Sequence, residues 1–389
     1  MKKRAVWTLA VCAGVFVLAG CGGENQKTYE RAKESLEGGV YESALQDYQA
    51  LISAEYKLAE SWRGAGIAQL HMGDLEGAVA SFSSAYQAED GSNSLRQDAL
   101  SYRAAAELKA GKLDDAMADC QTLAEDYAMT EDTYYLTGCV ALAMDSYDEA
   151  ASNFQKTYGE DATYETAVRI YEAYLDRDME ADGTRYLEAA LKTAPRTAED
   201  YCERGRVYYY MQDYDSAKKE LTEAANQEST EADLLLGMVY LAQNDPANAR
   251  SMYQEYLNAE DSSKSKGYNG LALCDMAEGD WDAALADIAS GLNAEDSDGT
   301  QDLLYNEMVV YERKLDFATA LDKAQKYVEQ YPDDTDAVKE LAFLKSRVNG
   351  GTAAENTAAE NAASDGTAEG TDAGGSGGET SADGSVSGE

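Results

Sequence analysis

The chain has 389 residues, of which 44% are hydrophobic and 27% are charged, and its formal net charge at pH 7 is -41. Such an excess of carboxylates excludes a nucleic-acid-binding protein, because phosphates have to be neutralised by clustered lysine and arginine. It also opposes adsorption to anionic lipid, so any attachment to a membrane has to be covalent or hydrophobic. The charge favours neutral or basic partners.

The N-terminus has the pattern of an export signal. The basic residues 2–4 precede an apolar stretch over residues 5–19, which has the length of a signal-peptide core and is short for a membrane span. Small residues then lead to Cys21 in the sequence Leu-Ala-Gly-Cys, which resembles the lipobox of bacterial lipoproteins. The resemblance implies a lipoprotein signal peptide over residues 1–20 and a lipid on Cys21. The alternative is an ordinary secretory signal with an unrelated cysteine.

Residues 59–85 predict two amphipathic helices joined at Gly73-Asp74, and this unit recurs along the chain. Position 20 of its 34-residue frame is alanine in eight units and glycine in one, and positions 17 and 24 are mostly large. A period of this size indicates a solenoid of two-helix units. The units start at Asn25, Ala59, Gln97, Glu131, Tyr164, Ala198, Thr230, Ser265 and Gln301.

The pattern resembles the tetratricopeptide repeat. The match in the second unit consists of Trp62, Gly66, Gly73, Ala78, Phe82 and Ala85. The resemblance implies an all-α solenoid over residues 29–348, with nine helix-turn-helix units and a final capping helix, after a short lipidated tether over residues 21–28. In the fifth unit Tyr171 and Gly183 replace the usual Gly and Ala, which predicts irregular packing. Residues 349–389 carry eight acidic and no basic side chains and predict a disordered tail.

The sequence contains no catalytic, metal-binding or phosphate-binding motif, so we expect neither an enzyme nor a cofactor. The only histidine, His71, is predicted at the end of a helix, where a cationic side chain suits the helix dipole. Four cysteines without paired spacing are predicted to be small core residues, and a disulfide between the closest two in sequence stays open. These cysteines are Cys120, Cys139, Cys202 and Cys274.

The resemblance implies that positions 2, 5, 9, 12 and 13 of each unit face a concave groove. The candidate partner-binding residues at these positions are Tyr135, Tyr209, Tyr210, Leu234, Met238, Leu241, Leu273, Met276, Tyr305 and Val309. The alternative is that they belong to the core, or that the acidic tail or a neighbouring subunit covers them. Position 2 is acidic in seven units, which favours stabilisation of the first helical turn over selection of a basic ligand. These residues are Glu60, Asp98, Asp132, Glu165, Glu199, Glu231 and Asp302.

The sequence as a whole predicts a protein-binding scaffold, anchored through Cys21 to the extracytoplasmic face of a bacterial membrane. We expect a neutral or basic protein or peptide partner, or a role in assembling envelope complexes, and no nucleic acid or small-molecule substrate. One alternative is a passive or self-assembling envelope component without a dedicated ligand. A less favoured one is an accessory subunit of an envelope enzyme. Partner identity, envelope type and oligomeric state are left open by the sequence.

Overall fold

The computed structural model describes residues 21–294, 296, 298–332 and 334–348, with side chains from residue 23. Helices follow one another along this part of the chain. The first nine are α1 (Cys21–Glu37), α2 (Tyr41–Ser53), α3 (Leu58–His71), α4 (Leu75–Gln87), α5 (Asn93–Lys109), α6 (Leu113–Asp126), α7 (Glu131–Ala143), α8 (Tyr147–Glu160) and α9 (Tyr164–Leu175). The next nine are α10 (Glu180–Ala190), α11 (Ala198–Tyr210), α12 (Tyr214–Asn226), α13 (Thr230–Ala242), α14 (Pro246–Asn258), α15 (Lys264–Glu278), α16 (Trp281–Leu292), α17 (Thr300–Arg313) and α18 (Phe317–Gln330). A last helix, α19, covers residues 335–348, and the described residues contain no strand.

Each odd-numbered helix up to α17 packs against the even-numbered helix that follows it, which confirms the nine predicted units. In the second, fourth, sixth and seventh units the two helices approach closely because a glycine on the first faces a large side chain sixteen residues later on the second. A Cβ added at Gly66 would lie 2.7 Å from the Phe82 ring, and one at Gly138 would lie 2.7 Å from the Phe154 ring. No Cβ tolerates such a distance, so the small and large residues of the repeat form one contact.

The fifth unit has Tyr171 at the position of this glycine, and its space comes from a glycine elsewhere on the second helix. Gly183 lies on the second helix, and a Cβ there would approach both the backbone and the ring of Tyr171 at 3.0 Å. The ring of Tyr171 is itself buried. The two departures from the repeat pattern therefore compensate each other, because the ring of Tyr171 fills the space that Gly183 leaves free.

The turn between the two helices uses one left-handed residue at position 15 of every unit. Glycine takes this conformation in four units, for example at Gly73 with φ 73°. In the other five units a residue with a side chain takes it, and Leu315 has φ 63° in the ninth. Left-handed backbone is strained for residues with a side chain, so the geometry of the repeat imposes this conformation at position 15. The five are Asp145, Asp178, Gln212, Asn244 and Leu315.

An ion pair between positions 7 and 23 links the two helices in several units. Arg103 donates two hydrogen bonds to Asp119, each 2.6 Å long, and Arg31 bonds Asp47 in the same way at 2.5 and 2.6 Å. In the ninth unit the charges are exchanged, with Lys323 donating to Glu307 at 2.7 Å. Position 7 is apolar in the second unit, so this ion pair occurs in some units only and is not part of the repeat pattern.

The array curves until its second unit meets the end of its ninth. A Cβ added at Gly73, in the turn between α3 and α4, would lie 3.4 Å from the ring of Pro332. A cavity of about 1050 Å³ lies at this closure, lined by residues of the second, third, fifth and ninth units and of α19. Residues far apart in sequence therefore share the inner side of the curve.

The described residues also bear on the two ends of the solenoid. Since α1 begins at Cys21, residues 21–28, predicted to be a tether, are helical. The predicted signal peptide over residues 1–20 and the predicted tail over residues 349–389 lie outside the described residues. No helix among the described residues is both long and apolar enough to cross a membrane.

Candidate partner-binding cavity

The inner side of units five to nine holds a cavity of about 670 Å³, called here the concave cavity. Most of its lining comes from the first helices of these units, α9, α11, α13, α15 and α17, with further residues from α14, α18 and the start of α19. The volume lies within the usual range for ligand sites, about 300–1,000 Å³. The cavity therefore has room for several side chains of a bound segment.

Six of the ten candidate groove residues line the concave cavity. They are Tyr209, Tyr210, Leu234, Met238, Leu273 and Tyr305. The structure places the other four, Tyr135, Leu241, Met276 and Val309, half-buried against the core. Tyr135 shows the reason, because its ring packs on Phe154 with centroids 5.8 Å apart and its hydroxyl donates to the Arg169 carbonyl at 3.2 Å. These four residues do not line the concave cavity, and their role in a groove stays a prediction.

Leu234, Met238 and Leu273 form the apolar floor of the concave cavity. Leu234 and Met238 lie one helical turn apart on α13, and Leu273 lies on the adjacent α15. Met238 exposes 36% of its surface although it faces a concave region. Exposed apolar groups in such a place indicate an interaction surface, and the unbranched methionine side chain adapts to different shapes.

Tyr209 and Tyr210 extend the apolar floor towards α9. Their ring centroids are 5.8 Å apart at an interplanar angle of 73°, and the Tyr210 hydroxyl donates a hydrogen bond to Glu172. Burial and this carboxylate raise the pKa of Tyr210. The hydroxyl therefore stays protonated and keeps its role as a donor.

At the other end of the concave cavity, Asp302, Tyr305, Tyr327 and Asp334 form an acid–aromatic corner. The Tyr327 hydroxyl donates to Asp334 at 2.7 Å, and the centroids of the Tyr305 and Tyr327 rings are 5.7 Å apart. Burial and the contact with Asp334 raise the pKa of Tyr327. Partial desolvation of its carboxyl raises the pKa of Asp302, although the charge of Lys266 opposes this.

The repeat pattern pointed only to Tyr305 and Asp302 in this corner. Tyr327 lies on a second helix, and Asp334 follows the last full unit, so neither occupies a position that the repeat assigns to the groove. A signal existed in the excess of tyrosine and aspartate between residues 327 and 336. Its relevance depends on the curvature of the array, which the sequence does not specify.

The acidic residues at position 2 have a role that the sequence did not suggest. Asp98 pairs with Arg63 of the preceding unit. Glu231 lies 3.3 Å from Arg206 of the preceding unit, and Asp132 lies 3.0 Å from Arg169 of the following one. These carboxylates link neighbouring units. Links between units therefore add to the expected stabilisation of the first helical turn, and two members of the set, Glu231 and Asp302, line the concave cavity.

His71 lies in the last turn of α3, as predicted, but its environment does not favour a cation. Its ring stacks on Tyr41 with centroids 4.5 Å apart and the planes 1° from parallel. Burial lowers the pKa of His71, and the nearby Lys109 lowers it further. Desolvation and the charge of Lys109 thus oppose the charged form that the helix dipole suggested.

The four cysteines of the solenoid are free thiols, so no Cys120–Cys139 disulfide is present. Cys120, Cys202 and Cys274 are buried and Cys139 is half-buried, which agrees with their prediction as small core residues. Within residues 23–348, apart from the few that the structure does not describe, no cluster of histidine, cysteine or acidic side chains is arranged to hold a metal ion.

Together the fold and the concave cavity define an all-α solenoid of two-helix units with a cavity on its inner side. Residues 29–94 and 202–266 match the family model described as tetratricopeptide repeat, in agreement with the resemblance seen in the sequence. This fold is typical of non-catalytic scaffolds that bind protein or peptide partners. No curated protein sequence matches the chain.

Solved structures resemble the chain at low identity. A tetratricopeptide repeat protein from Parabacteroides merdae is 18% identical, with 65% of this chain and 99% of that one covered and a TM-score of 0.41. The human IFIT1 dimer with PPP-AAAA is 15% identical over 82% of this chain and 85% of that one, with a TM-score of 0.39. YrrB, a tetratricopeptide repeat protein with an unusual peptide-binding site, is 22% identical over 49% of this chain and 98% of that one, with a TM-score of 0.31. These likenesses concern the repeat architecture alone.

Proposed function

We propose that this protein is a binding scaffold that holds a segment of a partner protein in the concave cavity. The observation that carries the proposal is the meeting of six independently selected groove residues in one cavity with an apolar floor. The scaffold performs no reaction, and its contribution is affinity and geometry. Apolar side chains of the partner would cover Leu234, Met238 and Leu273, and its polar groups would meet the tyrosine hydroxyls and carboxylates around them.

The scaffold acts at the extracytoplasmic face of a bacterial membrane, anchored by acyl chains on Cys21. The lipobox-like sequence before Cys21 supports this location. Two acyl chains suffice for stable anchoring. Because α1 begins at Cys21, the first unit would stand at the bilayer surface. The test is fractionation of cells that produce the Cys21→Ala variant. We expect the variant to leave the membrane fraction or to stay unprocessed, and an unchanged membrane fraction would contradict the anchor.

Site-specific photo-crosslinking in cells tests the binding role. A photoreactive residue at position 238 is expected to give discrete adducts with a partner protein. The same residue at position 147 is the control, because Tyr147 exposes 49% of its surface on α8, outside the concave cavity. Adding Leu273→Asp should remove the adducts at position 238, since it places a charge on the apolar floor without touching the crosslinker.

The competing view, a passive envelope component without a ligand, makes the opposite prediction. It expects no adduct at position 238, or the same adducts at both positions. Either result would refute the binding role, provided that the circular dichroism of the labelled proteins shows an intact helical fold.

A further inference from the structure

We propose that the partner segment is basic: a lysine or arginine side chain occupies the acid–aromatic corner, and a bulky apolar side chain a few residues away covers the apolar floor. This inference rests on the proposed function and adds the chemistry of the partner. Three observations carry it, namely the charge balance of the concave cavity, the state of the corner carboxylates and the distance between the corner and the floor.

The charge balance of the concave cavity is negative. Its lining includes five carboxylates, Glu172, Glu231, Asp302, Asp334 and Asp336, and two cations, Arg206 and Lys266. Both cations already have acidic partners. Arg206 lies 3.3 Å from Glu203 and 3.3 Å from Glu231, and Lys266 lies 3.9 Å from Asp298. A cationic ligand would therefore meet an excess of negative charge, whereas an acidic ligand would find no free cation in the lining.

The corner carboxylates lack a cation of their own. Among the described residues, no lysine, arginine or histidine nitrogen lies within 4.0 Å of Asp302 or Asp334. Asp302 is exposed, and Asp334 is half-buried beside Tyr327. The half-buried ring of Tyr305 adds a negative quadrupole at the same place, and the buried Tyr327 supplies the hydroxyl that bonds Asp334. Carboxylates and ring faces together suit the ammonium of lysine or the guanidinium of arginine, which pairs with both.

The geometry sets the spacing within the partner. The apolar floor spans α13 and α15, and the corner begins on α17, so the two are one to two helix spacings apart. Packed helices lie about 8–10 Å apart, and an extended chain rises about 3.3 Å per residue. The basic and the apolar residue of the partner should therefore be about three to six positions apart in an extended segment.

The charge also selects between the possible occupants. Residues 349–389 follow α19, but they contain eight acidic and no basic side chains, so the tail does not fit the corner. A second copy of the chain would bring a further formal charge of -41. The occupant is accordingly a segment of a different protein, with lysine or arginine near a large apolar residue.

Fluorescence polarisation with synthetic peptides and the full chain tests the inference. The first probe is a labelled ten-residue peptide of serine, glycine and alanine that carries one leucine and, four positions away, one lysine. A second probe has glutamate in place of the lysine, and a third has serine in place of the leucine. We expect the lysine–leucine peptide to bind at least tenfold more tightly than either, with an affinity that falls at high salt.

Two matched variants locate the effect. Asp302→Asn should weaken binding of the lysine–leucine peptide about fivefold and leave the glutamate peptide unaffected or slightly improved. Asp114→Asn removes the same charge from an exposed position on α6 that does not line the concave cavity, so it should change neither. Equal losses in the two variants would mean that only net charge matters, which overturns the inference.

The remaining outcomes are also decisive. Equal binding of the lysine and glutamate peptides, or no binding of the lysine–leucine peptide at millimolar concentration, overturns the basic partner. The proposed function is judged separately, by the crosslinks at position 238, which do not depend on peptide charge. Crosslinks that depend on Leu273 together with charge-independent peptide binding would leave the scaffold in place and remove only its preference for basic segments.

Discussion

Glu107 is a buried carboxylate that should make the stability of the third unit depend on pH near neutrality. It is 6% exposed on α5, and its Oε2 atom has no hydrogen-bond partner. Arg103, the nearest cation, lies 3.9 Å away and already donates two hydrogen bonds to Asp119. Two carboxylates therefore share one guanidinium, and the one with poorer contacts carries the desolvation cost.

Burial raises the pKa of Glu107 from 4.5 to about 7, and the charges of Asp119 and Asp115 add to the effect while Arg103 opposes it. The folded state thus binds the proton more tightly than the unfolded state. The stability from this group is fully present below pH 4.5 and is lost as the pH rises through 7. Each pH unit between the two pKa values corresponds to about 1.4 kcal/mol of stability. At pH 8 the third unit should therefore be about 3 kcal/mol less stable than it would be with Glu107 protonated.

The substitution Glu107→Gln imitates the protonated side chain at every pH. We expect it to stabilise the third unit by about 2–3 kcal/mol at pH 8 and by less than about 1 kcal/mol at pH 5. Hydrogen exchange measured by mass spectrometry on peptides of α5 and α6 is the appropriate assay, because units of a solenoid open locally. Variant and parent are compared at the same pH.

Glu125→Gln is the matched control, since Glu125 is exposed on α6 of the same unit. It should change exchange little at either pH. The reasoning would be refuted by a Glu107→Gln variant that gains the same protection at pH 5 and pH 8, or that loses protection at pH 8. The second result would mean that the ion pair with Arg103 outweighs desolvation.

Three further predictions follow from the repeat geometry. Gly270→Ala should lower the free energy of unfolding by about 1–3 kcal/mol, because the new Cβ clashes with the Tyr253 ring. Gly159→Ala, where a Cβ meets no atom within 4 Å, should raise it by about 0.5 kcal/mol. Equal effects of the two variants in thermal melting would contradict the packing argument. Leu315→Gly should stabilise the protein by about 1 kcal/mol, since Leu315 is 73% exposed and left-handed; a loss in thermal melting would show that its side chain is needed. Burial raises the pKa of Cys120 to about 11 and that of Cys274 to about 12. Both thiols should therefore resist iodoacetamide at pH 8 until the protein unfolds. Rapid labelling of the folded chain, mapped by mass spectrometry, would argue against their burial.

The local structure of the units could be predicted because each unit repeats a short pattern. Gly66 and Phe82 stand at fixed offsets within one unit, and their contact needs only the two adjacent helices. The glycine at position 15, such as Gly73, marks a turn for the same local reason. The fifth unit was misjudged because Tyr171 and Gly183 were weighed as two separate departures, whereas their sizes compensate across one contact.

The candidate site was less accessible to prediction. Tyr135 and Tyr209 both occupy positions that the repeat assigns to the groove, and both pack partly against the core, yet only Tyr209 lines the concave cavity. The difference depends on how far each unit rotates relative to its neighbours. That rotation results from many side-chain contacts between units, and no short pattern in the sequence encodes it.

Sequence alone determined that this protein is a helical solenoid of nine two-helix units, because hydrophobic periodicity and the alternation of small and large residues act within a few helical turns. It also determined the excess of negative charge. Only the tertiary structure decided which carboxylates link neighbouring units, as Asp98 does with Arg63, and which of them, Glu231 and Asp302, line the concave cavity. It decided too that Asp334 meets Tyr327 beside the first helices of the later units. The physical reason is curvature, a small rotation at each interface that accumulates along the array and brings distant residues together.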